Sequence, residues 1–172
     1  TALAIDDQII SINSFSKYFN MTGWRLGWLV VPDNLVPVIE RLAQNLFICP
    51  STVSQYAALA CFEPESLDIY EERRAAFKAR RNSFIPQLNA MGLPVPVVPD
   101  GAFYAGADCR DACRRLGLKD SWAFAEHLMQ HAHVAVTPGR DFGTHSPGDY
   151  VRLSTASSLQ DLHTAALRIQ HL

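Results

Sequence analysis

The hydrophobic and polar positions of this chain follow two periods, one typical of strands and one typical of helices. Runs of β-branched and aromatic residues between turn residues predict strands. Apolar residues spaced three and four apart predict helices that bury one face. The predicted strands are 8–15, 24–31, 102–105, 134–137 and 150–154, and the predicted helices are 35–43, one from 51 onward, a long one from Ser66 to a stop at Gly92, 112–116, 121–132 and 159–169. Strands that alternate with helices indicate an α/β or α+β architecture.

Individual residues predict the faces and ends of these elements. The helix after Pro50 is expected to bury Val53 and Tyr56. Pro86 lies inside the long helix and is expected to kink or split it, because proline has no backbone N–H. The proline-rich segment 94–99 is expected to be an extended edge segment, since its prolines cannot donate to a ladder. The serines expected to cap helices are Ser51, Ser121 and Ser158.

Composition and charge narrow the classes of function. Of the 172 residues, 48% are hydrophobic and 19% are charged, and the formal net charge is −2, as in ordinary globular proteins. The densest basic positions, 73–74 and 80–81, indicate one solvated helix face rather than a nucleic-acid site. No apolar run reaches the roughly 20 residues that a membrane-spanning helix needs. Four cysteines without a secretory segment favour reduced thiols, so we expect a cytoplasmic protein that binds neither nucleic acid nor membranes.

The cysteine and histidine spacing does not predict a metal site. Cys109 and Cys113 lie one helical turn apart, but only Asp108 and Asp111 accompany them. A structural zinc site needs four ligands, and this group lacks a suitable set. The histidines of segment 127–133 are assigned to a solvated helix face.

One turn near the start of the chain concentrates residues that suit a reactive ligand. Lys17 directly follows a predicted strand, Ser14 and Ser16 precede it by three and one positions, and Arg25 follows it by eight. A lysine beside apolar residues is costly when charged, so desolvation makes it a usable nucleophile toward an aldehyde. Hydroxyls and an arginine fork suit a phosphate. The set therefore suits a phosphorylated aldehyde, although a lysine at the end of a strand is more often simply solvated.

A second candidate lies near the end of the chain, where Arg152 stands in the predicted strand 150–154 among apolar residues. The planar guanidinium matches a planar carboxylate, which gives this arginine a substrate-binding rationale. The alternative is an arginine that is salt-bridged at a sheet edge.

The segments SFSK at 14–17 and MTGWRLGW at 21–28 resemble the lysine signature of the class I/II aminotransferases, a family of fold type I pyridoxal-phosphate enzymes. The family pattern is Ser-x-Ser-Lys, then a glycine, then an arginine eight residues after the lysine, and every position is matched. The resemblance implies that Lys17 carries pyridoxal 5′-phosphate as a Schiff base and shuttles protons. The residues that it implies for the cofactor phosphate are Ser14, Ser16 and Arg25.

Three further segments resemble the family in order and spacing. Residues 149–154 resemble the segment whose arginine grips the substrate α-carboxylate, which implies that role for Arg152. Residues 99–104 resemble the Gly-Ala-Phe-Tyr strand of the small domain, where Gly101 would allow a close backbone approach. Residues 137–143 resemble the Pro-Gly-x-x-Phe-Gly loop that lies near the substrate. Together these segments extend the resemblance over nearly the whole chain.

The resemblance also implies a fold and a function. The fold is α/β, with the end of the large domain in 1–66 and a small α+β C-terminal domain in 67–172, led in by the long helix. The small domain would hold a three- to four-stranded sheet with helices on it. The implied function is transfer of an amino group between an amino acid and a 2-oxo acid, by a homodimer in the full-length protein.

The chain starts at Thr1, close to a predicted strand, so we expect a carboxy-terminal portion of a longer enzyme. In the family, the acidic partner of the pyridine nitrogen and the aromatic that stacks on the ring precede the lysine. The portion alone is therefore expected to be inactive. Other functions stay open at this point: a pyridoxal-phosphate-dependent β-lyase, an aminotransferase-like effector domain of a transcriptional regulator, or an excised domain with a purely structural role.

Overall fold

The computed structural model describes all 172 residues and separates them into two units, Thr1–Arg74 and Ala75–Leu172. The elements of the first unit are strands β1 (Ser11–Ser14) and β2 (Gly27–Val30) and helices α1 (Val36–Leu46) and α2 (Thr52–Leu59). Helix α3 (Pro64–Ala90) contributes residues to both units. None of the helices is both long enough and apolar enough to cross a membrane.

The two strands of the first unit form an antiparallel pair in which Ser14 lies opposite Gly27. The sequence predicted both strands, but each is shorter than expected, and in β2 the predicted start is taken up by a 3-10 turn at Thr22–Trp24. Gly27 is required by close packing, since a Cβ atom there would lie 2.6 Å from the carbonyl oxygen of Asn13. A small core beneath the pair consists of Phe15, Met21, Ala58 and Cys61.

Helix α2 buries a different face from the predicted one. Val53 and Tyr56 are 68% and 72% exposed, so their predicted burial is wrong. The buried positions are Ser54 and Ala58, one helical turn apart. The Ser54 hydroxyl donates to the backbone oxygen of Trp24, in the turn before β2, and this hydrogen bond orients the helix with the Ser54 side inward. Ser51 occupies the predicted N-cap position but makes no side-chain capping hydrogen bond.

Helix α3 is continuous through Pro86, so the predicted split does not occur. Proline removes one hydrogen bond from the helix. The flanking side chains of Phe84, Ile85 and Leu88 are buried, and their packing on both sides of the proline stabilises the helical backbone. The predicted stop at Gly92 is confirmed: its φ is +84°, a left-handed conformation that glycine adopts at little cost.

The second unit is built on a three-stranded antiparallel sheet with the strand order β3-β5-β4. Its strands are β3 (Tyr104–Asp108), β4 (Thr137–Pro138) and β5 (Tyr150–Ser154). Its remaining helices are α4 (Arg110–Leu116), α5 (Ser121–His127), which continues as a π-turn over Leu128–Ala132, and α6 (Leu159–Gln170). The core between helices and sheet includes Leu88, Leu93, Phe124, Leu128, Val151, Leu153 and Leu162. This arrangement confirms the predicted α/β class and the predicted small sheet.

Two local predictions in the second unit concern segment 94–99 and the cap of α5. Segment 94–99, predicted as an extended edge segment, forms no regular strand and is linked to β3 by a hydrogen bond from Asp108 N to Pro94 O at 2.8 Å. Helix α5 is capped by Asp120, which accepts from Ala123 N, whereas the Ser121 hydroxyl donates to a loop carbonyl. The predicted cap of the last helix, α6, is confirmed. Ser158 Oγ accepts from Asp161 N at 3.1 Å.

Candidate cofactor site and candidate carboxylate site

The loop between β1 and β2 holds the lysine and the arginine that the sequence singled out. Phe15 N donates to Leu26 O at 3.1 Å, which closes the loop of residues 16–25 just beyond the strand pair. Lys17 stands at the start of this closed loop and Arg25 at its end. The ladder thus places on one loop two cations that are eight positions apart in sequence.

Hydroxyl groups organise the interior of the same loop. Ser14 Oγ accepts from Ser16 N at 3.0 Å, and Thr22 Oγ1 donates to Ser16 O at 2.6 Å. Asn20 N donates to Lys17 O at 3.0 Å, which forms a turn directly after the lysine. Because Ser14 takes part only as an acceptor in this bond, its hydroxyl proton remains available for a ligand.

Arg25 has a left-handed backbone conformation, with φ 52° and ψ 53°. Such a conformation is costly for a residue with a Cβ atom, and such outliers concentrate at functional sites. Its Nη1 donates to Thr22 O at 2.9 Å, and the residue is exposed. Residues 8–32 contain two cationic side chains and no acidic one. Two hydroxyls, an arginine and a lysine on one loop fit a phosphorylated aldehyde.

Arg25 also lines an open cleft of about 1040 Å³ in the first unit. The opposite wall is the segment that leads into α2, including Phe47 and Ile48. Ser54, which is 4% exposed, supports the cleft by donating to Trp24 O at 2.7 Å. The sequence analysis missed Ser54, and the one available signal was a serine four residues before Ala58 on the small-residue side of the helix.

Tyr18 ties the lysine loop to helix α3. Its hydroxyl donates to Glu71 Oε1 at 2.8 Å, and this hydrogen bond raises the pKa of the phenol above its ordinary value. Arg74 Nε donates to Glu71 Oε2 at 2.7 Å, which lowers the pKa of the carboxyl group. The residue next to Lys17 is therefore anchored to the helix on the carboxyl-terminal side of the unit.

One premise of the sequence argument is wrong for this chain. The lysine was expected to follow a buried strand, but β2 is exposed along its whole length and β1 is only half-buried at alternate positions. Lys17 and Ser14 are exposed and Ser16 is half-buried. The reason is that β1 pairs with β2 alone in a two-stranded sheet. The chemistry assigned to Lys17 therefore depends on the donors around it and not on burial within this chain.

The second candidate residue, Arg152, lies in the central strand of the sheet in the second unit. In β5 it is opposite Gly106 on β3 and opposite Thr137 on β4. The residue is half-buried, while its strand neighbours Val151 and Leu153 point into the core at 1% and 3% exposure. The alternation of a strand thus turns Arg152 to the face of the sheet away from the core.

Two aromatic rings enclose the guanidinium of Arg152. Its Cζ atom lies 4.1 Å from the ring centroid of Tyr104 and 4.4 Å from that of Phe142. Its Nη2 is 3.4 Å from Thr137 Oγ1, at the long end of hydrogen-bonding distance. The salt bridges of the chain are Arg74–Glu71, Arg110–Asp108 and Arg114–Asp111, so no carboxylate neutralises Arg152. The alternative of a salt-bridged arginine at a sheet edge is therefore wrong.

The loop that supplies Phe142 is shaped by two glycines. A Cβ atom at Gly139 would lie 2.5 Å from Pro147 O and 2.7 Å from Tyr150 O, so only glycine fits there. Gly143 has φ +124°, which side-chain-bearing residues rarely adopt. By contrast, a Cβ atom at Gly101 would meet nothing within 4 Å, so the expected close approach at this glycine is wrong.

Cys109 and Cys113 are free thiols in the core of the second unit. Cys109 Sγ donates to Asp149 O at 3.2 Å, and burial raises the pKa of the Cys109 and Cys113 thiols. The structure contains no group of three or more histidine, cysteine, aspartate or glutamate side chains placed to hold a metal ion.

The fold of the chain is that of solved aminotransferases. It superposes on a crystal structure of an aminotransferase from Mycobacterium tuberculosis with a TM-score of 0.92 and 38% identity, covering 99% of this chain and 43% of that one. A structure of the aromatic aminotransferase from Pyrococcus horikoshii gives a TM-score of 0.84 and 39% identity, covering 94% of this chain and 42% of that one.

The sequence comparison then names the family. The family model "Aminotransferase class I and II" matches residues 2–169, and the chain belongs to this family. It is 39% identical over 160 residues to valine–pyruvate aminotransferase of Mycobacterium tuberculosis, covering 93% of this chain and 40% of that protein. It is 36% identical over 171 residues to aspartate aminotransferase of Rhizobium meliloti, covering 96% of this chain and 40% of that protein. The resemblance predicted from the lysine segment is confirmed, and the chain spans about two fifths of the length of these relatives.

Proposed function

We propose that the protein containing this chain transfers an amino group between an amino acid and a 2-oxo acid with pyridoxal 5′-phosphate. The observation that carries the proposal is the closed loop that presents Lys17 and Arg25 together in a member of the aminotransferase family. The matched relatives are named for valine and pyruvate, aspartate, and aromatic amino acids. They differ in substrate, so the proposal extends to the reaction and not to the side chain of the amino acid.

The donor set supports a role in cofactor binding for four residues. The hydroxyls of Ser14 and Ser16 and the guanidinium of Arg25 would hold the phosphate, which suits charge-assisted hydrogen bonds. Bound pyridoxal phosphate supplies an aldehyde for amino groups and a ring that withdraws electrons from the reacting carbon. Lys17 Nζ would hold the cofactor through its aldehyde group and, as a free amine, would move the α-proton of the amino acid as general base and acid.

Arg152 would bind the α-carboxylate of the amino acid. Arg152 lies in a central strand, its guanidinium contacts two aromatic rings, and no carboxylate of the chain pairs with it. It can therefore donate hydrogen bonds to an anion from outside the chain. Its role is orientation, because fixing the carboxylate limits the directions in which the α-proton can point.

The wider setting is also a proposal. Residues 1–66 would be the end of a large domain and 67–172 a small C-terminal domain, in a cytoplasmic homodimer. The chain spans about two fifths of its relatives, so we propose that it has no turnover by itself. Transamination by this chain at a rate well above that of free cofactor would contradict that statement.

The reaction is tested by incubating the protein that contains this chain with an amino acid, a 2-oxo acid and pyridoxal phosphate, and measuring both products by mass spectrometry. Paired formation of a new 2-oxo acid and a new amino acid is expected, with loss in Lys17→Ala and retention in Lys78→Ala. Release of ammonia and pyruvate without a new amino acid would indicate a β-lyase instead. The matched relatives are named aminotransferases, which does not favour that alternative or a transcriptional regulator.

A further inference from the structure

We infer that Tyr104 and Phe142 are positioning residues that hold the Arg152 guanidinium between their rings and thereby select a planar carboxylate over a tetrahedral anion. This inference rests on the proposed function, in which Arg152 binds a carboxylate. It assigns Tyr104 and Phe142 to that site and predicts which anions Arg152 prefers.

The guanidinium of Arg152 is in contact with both aromatic rings. Cζ of Arg152 is about equally far from the two ring centroids, at 4.1 Å for Tyr104 and 4.4 Å for Phe142. Both distances are well within the range in which the face of an aromatic ring attracts a cation. A guanidinium whose faces are covered by rings can bind a ligand only at its edge, where its N–H groups donate in the plane of the group.

Neighbouring strands limit the rotation of the Arg152 guanidinium. Tyr104 is fixed because it stands in β3, opposite Ser154 of the same ladder. Nη2 of Arg152 approaches Thr137 Oγ1 at 3.4 Å, so one corner of the fork is directed to β4. Nε and Nη1 make no hydrogen bond or salt bridge within the chain. Nη2 carries two hydrogens, one on each edge of the fork, so the edge that does not face Thr137 keeps two parallel N–H groups, one from Nη2 and one from Nε or Nη1, for a carboxylate.

Phe142 is held in position by a conformationally constrained loop. Its side chain is 53% exposed, so it contributes little to the core. The loop that carries it nevertheless requires glycine at Gly139, where a Cβ atom would collide with backbone, and at Gly143, where φ is +124°. The contact between the Phe142 ring and the Arg152 guanidinium explains why a constrained loop holds an exposed aromatic residue at this position.

Selection follows from the shape of the opening. The two oxygens of a carboxylate are coplanar with the guanidinium edge and fit between overhanging rings. A phosphate that makes the same two bonds has further oxygens above and below that plane, where the rings stand. We therefore expect Arg152 to discriminate against phosphate, unlike Arg25, whose guanidinium has no ring over it.

The test is an NMR titration of the ¹⁵N-arginine-labelled chain with acetate and, separately, with inorganic phosphate. The signals of Arg152 are assigned by their loss in Arg152→Gln. The variants are Tyr104→Leu and Phe142→Leu, with the ring-retaining Tyr104→Phe and Phe142→Tyr as matched controls. Phe142→Leu changes an exposed residue and is expected to fold, so it keeps the test informative if Tyr104→Leu does not.

The unsubstituted chain is expected to show upfield ring-current shifts of the Arg152 side-chain signals and to bind acetate more tightly than phosphate. Each leucine variant is expected to lose its share of the ring-current shift, to bind acetate about tenfold more weakly and to lose the preference over phosphate. The ring-retaining variants are expected to behave like the unsubstituted chain. Leucine variants with unchanged acetate affinity and unchanged preference would overturn the inference while leaving the carboxylate role of Arg152 intact. Equal acetate binding by Arg152→Gln and the unsubstituted chain would instead overturn that role and, with it, the inference.

Discussion

Ser14 on β1 lies directly opposite Gly27 on β2, and this pairing sets the geometry of the lysine loop. Three residues after Ser14 comes Lys17, and two residues before Gly27 comes Arg25. The ladder therefore limits how far apart Ser14, Lys17 and Arg25 can lie. Each of these residues is placed relative to one strand pair.

The pairing predicts a specific sensitivity at Gly27. Gly27→Ala puts a Cβ atom 2.6 Å from Asn13 O, a backbone atom that cannot move without opening the ladder. We expect a loss of about 1–3 kcal/mol in the free energy of unfolding. Urea unfolding followed by tryptophan fluorescence measures it, because Trp24 and Trp28 lie in the same unit. Gly23→Ala is the matched control, since its Cβ atom meets nothing within 4 Å, and an equal loss in both variants would contradict the account.

A second prediction concerns the support of the cleft by Ser54. Its buried hydroxyl donates to Trp24 O at 2.7 Å, so Ser54→Ala leaves that carbonyl without its partner. The expected loss is about 1–2 kcal/mol in the free energy of unfolding. Ser51→Ala provides the comparison, because Ser51 is exposed and makes no capping hydrogen bond. If both substitutions cost the same in urea unfolding, the hydrogen bond to Trp24 has no measurable role.

The loop before β5 gives a third prediction. Gly139→Ala forces a contact with Pro147 O at 2.5 Å and Tyr150 O at 2.7 Å, and we expect it to destabilise the second unit by about 1–3 kcal/mol. It should also shift Phe142 away from Arg152, which reduces the ring-current shift of the arginine signals. Gly101→Ala meets open space and should leave both the unfolding midpoint and those signals unchanged.

The buried thiols predict how stability depends on pH. Burial raises the pKa of Cys109 and Cys113 in the folded chain above the ordinary thiol value of about 8.5. Above that value the unfolded thiols lose protons while the folded ones keep them, so the stability that is fully present at lower pH is lost as the pH rises. The loss approaches about 1.4 kcal/mol per pH unit for each such thiol.

This dependence is measured as the urea midpoint between about pH 7 and 10, with a reductant present, a range that spans the ordinary thiol pKa. The double variant Cys109→Ala, Cys113→Ala should show a flatter decline than the unsubstituted chain. Cys49 is exposed, so Cys49→Ala should keep the original decline. A double variant whose midpoint falls as steeply as that of the unsubstituted chain would show that these thiols do not control alkaline stability.

Local signals in the sequence predicted much of the fold. The stop at Gly92 and the cap at Ser158 were predicted because glycine conformation and serine hydrogen bonding act within a few residues. The strand around Arg152 was predicted from a run of aromatic, β-branched and other apolar residues that follows a turn. These features depend on neighbours in sequence, which a single chain reveals.

The parts that sequence analysis missed depend on tertiary contacts. Val53 and Tyr56 have the spacing of a buried face, but the hydrogen bond of Ser54 turns the other side of α2 inward. Pro86 did not split α3, because packing on both sides of it outweighs one lost hydrogen bond. The stacking of Phe142 on Arg152 joins residues ten positions apart through a glycine-shaped loop, and no local pattern encodes that contact.

The central claim is that Lys17 is the cofactor lysine, and borohydride reduction tests it most directly. The protein that contains this chain is incubated with pyridoxal phosphate, reduced, digested and analysed by peptide mass spectrometry, with Lys17→Ala and Lys78→Ala prepared in parallel. The lysines of the chain are Lys17, Lys78 and Lys119. The account predicts a phosphopyridoxyl mass on Lys17, absent in Lys17→Ala and retained in Lys78→Ala. A phosphopyridoxyl group on Lys78 or Lys119 as readily as on Lys17 would contradict it.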